Sequence, residues 1–361
     1  MARSSSTVAD LLEAWFQHAQ PDLSPKTARE TRGYIDRNLS PSLGAVRVDR
    51  LRADPIDAYY RKLRTSGGRD GGPLSPGTIR RIHGILRRVL QQGVRWGWLH
   101  ANPAAAASPP RLPALALTPP SPEQVAALYR LAERVDPELG VFIVLAASTG
   151  ARRSGLIALR WSDVDLSRAV IRIGRGIVLG LNGLVEKDTK THSVRAVALD
   201  ASTVDILEDH RDRIVDRVAQ AGFELSPTAF VFAWTIDGSM SWFPDSASRR
   251  FHRLCEQAGV RGVRLHDLRH YVATRLLAGG IDVRTVAGRL GHRNAATTLN
   301  VYAHFLADAD REAARHLGGI LSAALRAETA HDQSCTVWRA TPKRRATSVT
   351  VTPSLRTSST A

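Results

Sequence analysis

The chain has 361 residues, 43% of them hydrophobic and 23% charged, which suits a soluble globular protein of two or three domains. A net charge of +16 and a sequence pI near 10.9 create a field that attracts polyanions, with DNA, RNA and anionic membrane as candidates. Membrane is disfavoured because no apolar run approaches ~20 residues.

The first residues, Met1 to Val8, are Ser-rich and lack the apolar stretch of a signal peptide. Only Cys255 and Cys335 are present, so there is no disulfide framework, and a reducing cytoplasm fits. The first hundred residues read as helices. Val8, Leu11, Leu12, Trp15 and Phe16 recur at helical spacing. Ser24-Pro25 is an N-cap followed by proline at the first helical position, and that helix runs toward Leu39. Asp54-Pro55 repeats the signal for a helix through Tyr59 and Leu63. Ser75-Pro76 opens a longer one with Ile79, Ile82, Leu86, Val89 and Leu90 on its apolar face. Arg80, Arg81, Arg87 and Arg88 crowd elsewhere on that helix. They are DNA-binding candidates beside the plainer reading of a solvated charged face.

Seven prolines fall from Pro103 to Pro122 amid alanines, a stretch that resists helix and sheet interiors. We therefore expect an N-terminal helical domain over 1–106, a Pro/Ala-rich linker over 107–122 and a second domain over 123–326 with a C-terminal helix. The second domain begins with helix signals at Ser121-Pro122. An apolar helix follows near Leu139 to Ala147, broken at Thr149-Gly150. Arg152 lies at the start of the next helix, expected to carry Leu156, Leu159 and Trp161. Helix starts favour anions through their free N–H groups. A small sheet comes next: one strand around Val170, Ile171 and Ile173, one over Ile177 to Val185, one over Val194 to Leu199. Lys190 lies in the polar turn before the last of these. Helix resumes from Val204, interrupted by a short strand, Phe230-Val231-Phe232. Cys255 falls on an apolar stripe with Phe251, Leu254 and Ala258 and reads as core.

From Arg264 onward the signals sharpen. His266, Arg269 and His270 stand at i, i+3 and i+4, one helical face. That helix ends at Gly279-Gly280, and Val283, Val286, Ala287 and Leu290 make the next, ended by Gly291. His292 then sits at a helix C-terminus, where a protonated imidazole is favoured. Tyr302 follows on or beside a short helix begun near Ala296, and a last amphipathic helix spans roughly Ala309 to Leu325. Residues 327–361 are Thr/Ser/Pro-rich with basic Lys343-Arg344-Arg345, and we expect them to be disordered.

Arg152, Lys190, His266, Arg269, His292 and Tyr302 together carry the chemistry of phosphodiester attack. Arginines hold phosphate oxygens bidentately, a histidine or lysine moves protons, and tyrosine can serve as nucleophile. Metal is unnecessary where the protein supplies the cations, and no cofactor motif is present: Gly174-Arg175-Gly176 with Gly180 is followed by a strand rather than a helix. There is no zinc-ligand spacing.

The ordered strings Thr149-Gly150-Ala151-Arg152-Arg153, Thr189-Lys190-Thr191, His266-Asp267-Leu268-Arg269-His270, Leu290-Gly291-His292 and then Tyr302 resemble the tyrosine recombinase family, the phage-type integrases. The resemblance runs from the linker to about Leu306, and the helical first domain looks like the family's core-type DNA-binding domain. It implies a mainly α fold with a small antiparallel β-sheet (α+β), and a site-specific DNA recombinase that cleaves and rejoins strands through a 3′-phosphotyrosyl link without metal or ATP. On that basis Arg152 and Arg269 clamp the scissile phosphate, His266 helps move the nucleophile's proton, His292 donates to the phosphate, Lys190 protonates the leaving 5′-oxygen and Tyr302 attacks. Lys187 is the alternative lysine. The implied partners are double-stranded DNA with a specific core site, a homotetramer on that DNA and a DNA-bending accessory protein; the implied location is cytoplasmic, with the nucleoid when bound.

The chain departs from the family pattern at Gly155, where an acid usually stands and helps hold the active-site network. It also starts almost at its core-binding helices, so no separate arm-binding domain is expected. Two other readings stay open: a DNA-binding protein with impaired catalysis, and a type IB topoisomerase-like enzyme that nicks and reseals.

Overall fold

The computed structural model describes residues 6–68, 70–113, 118–188, 194–292, 294, 296, 314–315 and 317–323. The fold is mainly helical with two small antiparallel sheets, as expected. Residues Met1–Ala303 group as one compact unit and His304–Ala361 as another. Among the described residues no helix is long and apolar enough to cross a membrane.

Five helices build the first part: α1 (Val8–Ala19), α2 (Pro25–Tyr34), α3 (Ser40–Leu43), α4 (Ala53–Ser66) and α5 (Pro76–Arg95). Side chains hold most of their starts. The Thr7 hydroxyl accepts from Asp10 N while the Asp10 carboxylate accepts from Thr7 N, so two orphan donors are satisfied reciprocally. Ser24 and Ser75 cap α2 and α5, each with proline in the first turn. The third expected cap is corrected. Helix α4 starts at Ala53 with Arg52 as its N-cap, so Asp54 and Pro55 lie inside its first turn. Helix α2 runs into a single π-helical turn, Ile35–Leu39. The inward faces meet in one apolar cluster, with Leu11, Leu12, Ile35, Leu39, Ile56, Ile79 and Ile82 buried. After a short 3₁₀ turn at Pro103–Ala105, residues 106–113 run without regular structure, yet they are tied down. Ser108 N donates to Asp57 and Arg80 donates to the Pro110 carbonyl.

A second cluster gathers around α6 (Pro122–Val135) and α7 (Pro137–Thr149). Helix α7 is apolar on nearly every side, the pattern of a helix enclosed by others. Phe142 on it meets Phe232 edge-on at 4.9 Å and stacks on Trp242 at 5.7 Å. Around it stand α8 (Arg153–Ile157), α9 (Ala201–Gln220), α10 (Pro244–Gln257), α11 (Asp267–Ala278) and α12 (Val283–Leu290). Helix α8 is shorter than expected. Leu159 follows it and Trp161 opens a 3₁₀ turn, because Leu159 and Trp161 exchange backbone hydrogen bonds with Val231 and Ala229 instead. Cys255 is buried on α10, and burial pushes its thiol up to about 11, as suits a core residue.

The strands are β1 (Val164–Asp165), β2 (Val170–Ile173), β3 (Arg175–Gly180), β4 (Gly183–Asp188) and β5 (Arg195–Ala198). One sheet has the order β1-β2-β5, with Ile171 opposite Val197; β3 and β4 form a separate hairpin, with Gly180 opposite Gly183. The single strand expected over Ile177 to Val185 is therefore two. Leu181-Asn182 turns the chain, and Gly183, directly after the turn, takes a positive φ (123°) open to glycine. The expected strand Phe230-Val231-Phe232 is also corrected. It is buried irregular chain with one isolated bridge, Phe230 to Arg160, and the Val231 carbonyl lies 3.0 Å from His210 Nε2. Helix α2 packs on the hairpin, where a Cβ at Gly180 would lie 3.3 Å from Pro25 Cβ.

In the second unit, residues 314–315 and 317–323 are helical, within the helix expected over Ala309 to Leu325; Leu317, Ile320 and Leu321 are exposed. The tail from 327 lies outside the described residues.

Gly150 should be the least replaceable turn residue. It has φ 63°, and a Cβ there would meet Leu290 Cδ2 at 2.4 Å. Gly222 also has a positive φ (80°) but open space around it. Gly222→Ala should lose the ~1–2 kcal/mol of a left-handed residue, and Gly150→Ala should lose about 1–3 kcal/mol more from overpacking. Thermal unfolding of the two variants side by side measures the difference.

Candidate active site

The site is assembled by chain segments that reverse direction. Gly150 closes α7 in the left-handed conformation, and the Thr149 hydroxyl accepts from Ala151 N at 3.1 Å to brace the turn. Arg152 then stands at the N-cap of α8 with extended backbone. Gly291 closes α12 in the same left-handed way (φ 69°), and His292 follows it with its backbone N–H on the Ala287 carbonyl at 2.9 Å.

Arg269 joins these two turns. It lies in the first turn of α11 and is 5% exposed. Its Nη1 donates to the Gly150 carbonyl at 2.6 Å and to the Leu290 carbonyl at 2.7 Å. Both acceptors belong to helix C-termini, where carbonyls lack intrahelical donors and the helix dipole favours a cation. Arg152 reaches the same region more loosely, with Nη1 3.5 Å from the Gly291 carbonyl. Arg289 of α12 adds a second tie, donating to Ser148 O at 2.8 Å and to Ala198 O at 3.0 Å, so α7, α12 and β5 are bound together.

His266 is the N-cap of α11 rather than a residue of its face. The preceding turn is set by Asp267, whose carboxylate accepts from Arg264 N at 2.8 Å and pairs with the Arg264 guanidinium. The His266 ring stands edge-on to His270 at 5.1 Å. Arg152, His266, Arg269 and His292 thus occupy one neighbourhood, close enough for their charges to act on one another. Lys190 and Tyr302 lie outside the described residues. Lys187 on β4 is half-buried and lines a cleft of about 520 Å³. Arg152, Arg153 and His266 line the same cleft, as do Lys26 and Arg29 of α2.

Burial and like charge shape the titration of the site. His266 is pushed down to about 4 by burial first, then by His270 and Arg269. His292 is also pushed down to about 4, by burial and then by Arg269, Arg152 and Arg195. Both imidazoles are neutral at pH 7. The expectation of a protonated His292 at a helix end is therefore overturned: desolvation and the nearby guanidiniums outweigh the attraction of the helix dipole. Burial also lowers the affinity of Arg152 for its proton.

Reading by motif passed over Arg195. It opens β5, is held down to about 10 by burial and then by Arg152, and lies against Gly291. A sequence signal existed: Arg195 shares the inward face of its strand with buried Val197. Arg80, Arg81, Arg87 and Arg88 of α5 are all exposed; Arg88 donates to Gly84 O, and the helix carries no acidic residue. Gly155 is buried, and a Cβ there would lie 3.0 Å from Ile173 Cγ2, so the place of the usual acid is partly filled by β2.

Comparison with known proteins reveals close kinship of pattern. Residues 121–308 match the model described as "Phage integrase family", and residues 7–64 match "Phage integrase, N-terminal SAM-like domain". A "Tyrosine recombinase XerC-like" protein of Caldanaerobacter subterraneus subsp. tengcongensis is 24% identical over 333 residues, covering 83% of this chain and 80% of that protein. The "ICEBs1 integrase" of Bacillus subtilis is 23% identical over 323 residues, covering 89% of this chain and 85% of its own. Among solved structures, the Tn1549 transposon integrase in complex with a circular intermediate DNA superposes with a TM-score of 0.68 at 20% identity, covering 87% of this chain and all of that one. This last likeness is one of fold.

The depressed histidines give the protein a testable pH response. In the unfolded chain a histidine titrates near ~6.5, whereas His266 and His292 titrate at about 4 in the fold. Between those values the unfolded state binds more protons, so stability is full above ~6.5 and falls as pH drops toward ~4. Melting temperatures of the DNA-free protein should fall over that window, and a His266→Asn/His292→Asn double variant should show a smaller fall.

Proposed function

The chain belongs to the phage integrase family of site-specific tyrosine recombinases, and on that premise we propose that it cuts and rejoins DNA strands through a covalent link to Tyr302. The observation that carries the reading is the gathering of Arg152, His266, Arg269 and His292 at the paired ends of α7 and α12. Guanidiniums at such a place stabilise the negative charge that grows on the equatorial oxygens of an attacked phosphate. Arg152 and Arg269 hold the non-bridging oxygens. Neutral His266 has a free ring nitrogen at pH 7 and takes the phenol's proton, which matters because a tyrosine of pKa about 10 is only ~0.1% ionised there. His292 donates a hydrogen bond to the phosphate. Lys190 protonates the departing 5′-oxygen, with Lys187 on the cleft wall as the other candidate. Phosphorus passes from the 5′-oxygen to Tyr302, and attack by a second strand's 5′-hydroxyl reverses the transfer. The phosphodiester energy is kept in the tyrosyl ester, so no ATP is consumed.

The DNA runs, in this reading, along the basic cleft and the exposed arginines of α5, in a complex of four protomers on two duplexes carrying a specific core site, with a DNA-bending accessory protein. Support lies in the lysines and arginines that α2, α8 and β4 contribute to one cleft, and in an α5 free of acidic residues. We propose the division into a helical DNA-binding domain over 1–106, a linker over 107–122 and a catalytic domain over 123–326. A second reading, DNA binding with impaired catalysis, is favoured by Gly155 alone.

A nicked suicide substrate separates the two readings. Wild type should trap a covalent adduct, and Tyr302→Phe should bind the same DNA without trapping. If both bind and neither traps, the binding-only reading holds. Affinity should fall with salt at a log–log slope of roughly −0.9 per neutralised phosphate. Arg80→Ala and Arg87→Ala should each weaken binding uniformly across sequences and reduce that slope by about 1.

A further inference from the structure

Arg195 lies at the centre of the basic neighbourhood, and no part of the chemistry above employs it. Its guanidinium is pressed against Gly291. A Cβ at that position would fall 2.4 Å from Nη1 and 3.0 Å from Cζ, so glycine there makes room for the arginine as well as for the left-handed turn. Nε and Nη2 of Arg195 are buried and have no hydrogen-bond partner among the described residues. Its nearest electrostatic influence is Arg152, a like charge, and it acts in turn on His292. Arg289 holds the Ser148 and Ala198 carbonyls, and Nη1 of Arg269 holds those of Gly150 and Leu290. Two buried guanidinium donors left unpaired among the described residues, beside another cation, make an arrangement that an anion completes.

We propose that Arg195 is a third guanidinium of the catalytic site, donating from Nε and Nη2 to the non-bridging oxygens of the scissile phosphate. The planar fork of an arginine suits two phosphate oxygens. The inference rests on the strand-cleavage reading.

The test uses the full-length protein and a suicide duplex in two forms, one with an ordinary scissile phosphate and one with a methylphosphonate there, which removes the negative charge. With the ordinary phosphate, Arg195→Met should slow covalent adduct formation by about 10²–10³, and Arg195→Lys should lose less. With the methylphosphonate, wild type and Arg195→Met should differ by less than tenfold. The melting temperature of DNA-free Arg195→Met should be unchanged or raised, since a buried unpaired charge has been removed. Cleavage by Arg195→Met at the wild-type rate overturns the proposal. So does an equal loss on both substrates, or rescue only by a methylphosphonate at a neighbouring phosphate. If Arg195→Met does not fold, the same substrate comparison on Arg195→Lys decides. Failure of wild type itself to form adduct removes the cleavage reading and this one with it; an active wild type isolates Arg195.

Discussion

The arrangement depends on one buried guanidinium. Arg269 spans the last carbonyls of two helices whose ends converge, 2.6 Å from Gly150 O and 2.7 Å from Leu290 O. Neither carbonyl can find a donor within its own helix, and two negative helix ends brought together repel unless a cation lies between them. The chain leaving the first end leads to Arg152, and the chain leaving the second leads to His292. A side chain from a third helix therefore sets the separation of two segments far apart in sequence. The left-handed glycines at 150 and 291 follow from the same constraint, because each helix must stop abruptly for its carbonyl to face Arg269.

The second organising feature is uncompensated positive charge. Arg152 and Arg195 act on one another as like charges, and with Arg269 they bear on His292, which burial already disfavours as a cation. The resulting neutral imidazoles follow from the surroundings rather than from the residue type. A site so composed is preorganised for a group of opposite sign, and its internal repulsion has to be offset elsewhere. The enclosed helix α7, with Phe142 packed among Phe232 and Trp242, supplies part of that stability through apolar burial.

Charge also extends beyond these groups. The cleft beside Arg152 has Lys26 and Arg29 of α2 on its wall, and α2 packs onto the β3–β4 hairpin where Gly180 permits close approach. Two acidic residues, Glu30 and Asp245, share that wall and pair with Lys26 and Arg153, so the cleft's basic excess comes from Arg29, Arg152 and Lys187.

The sequence by itself determined the mainly helical class, most helix starts and the family resemblance. Those depend on local rules: a serine or threonine can cap only the helix that follows it, and ordered motif strings survive without knowledge of packing. Its local signals failed where backbone partners are remote. Leu159 and Phe230 to Phe232 form neither helix nor strand, and Trp161 only opens a 3₁₀ turn, because their hydrogen bonds go to remote backbone and to His210. One apolar run became two strands because Leu181-Asn182 turns the chain between Gly180 and Gly183. Only the tertiary structure decided that Arg195 joins the site, that Arg269 is committed to two carbonyls, and that His292 is neutral. Each of these rests on what surrounds a side chain in space, and burial and the distance between charges are not properties of any residue read alone.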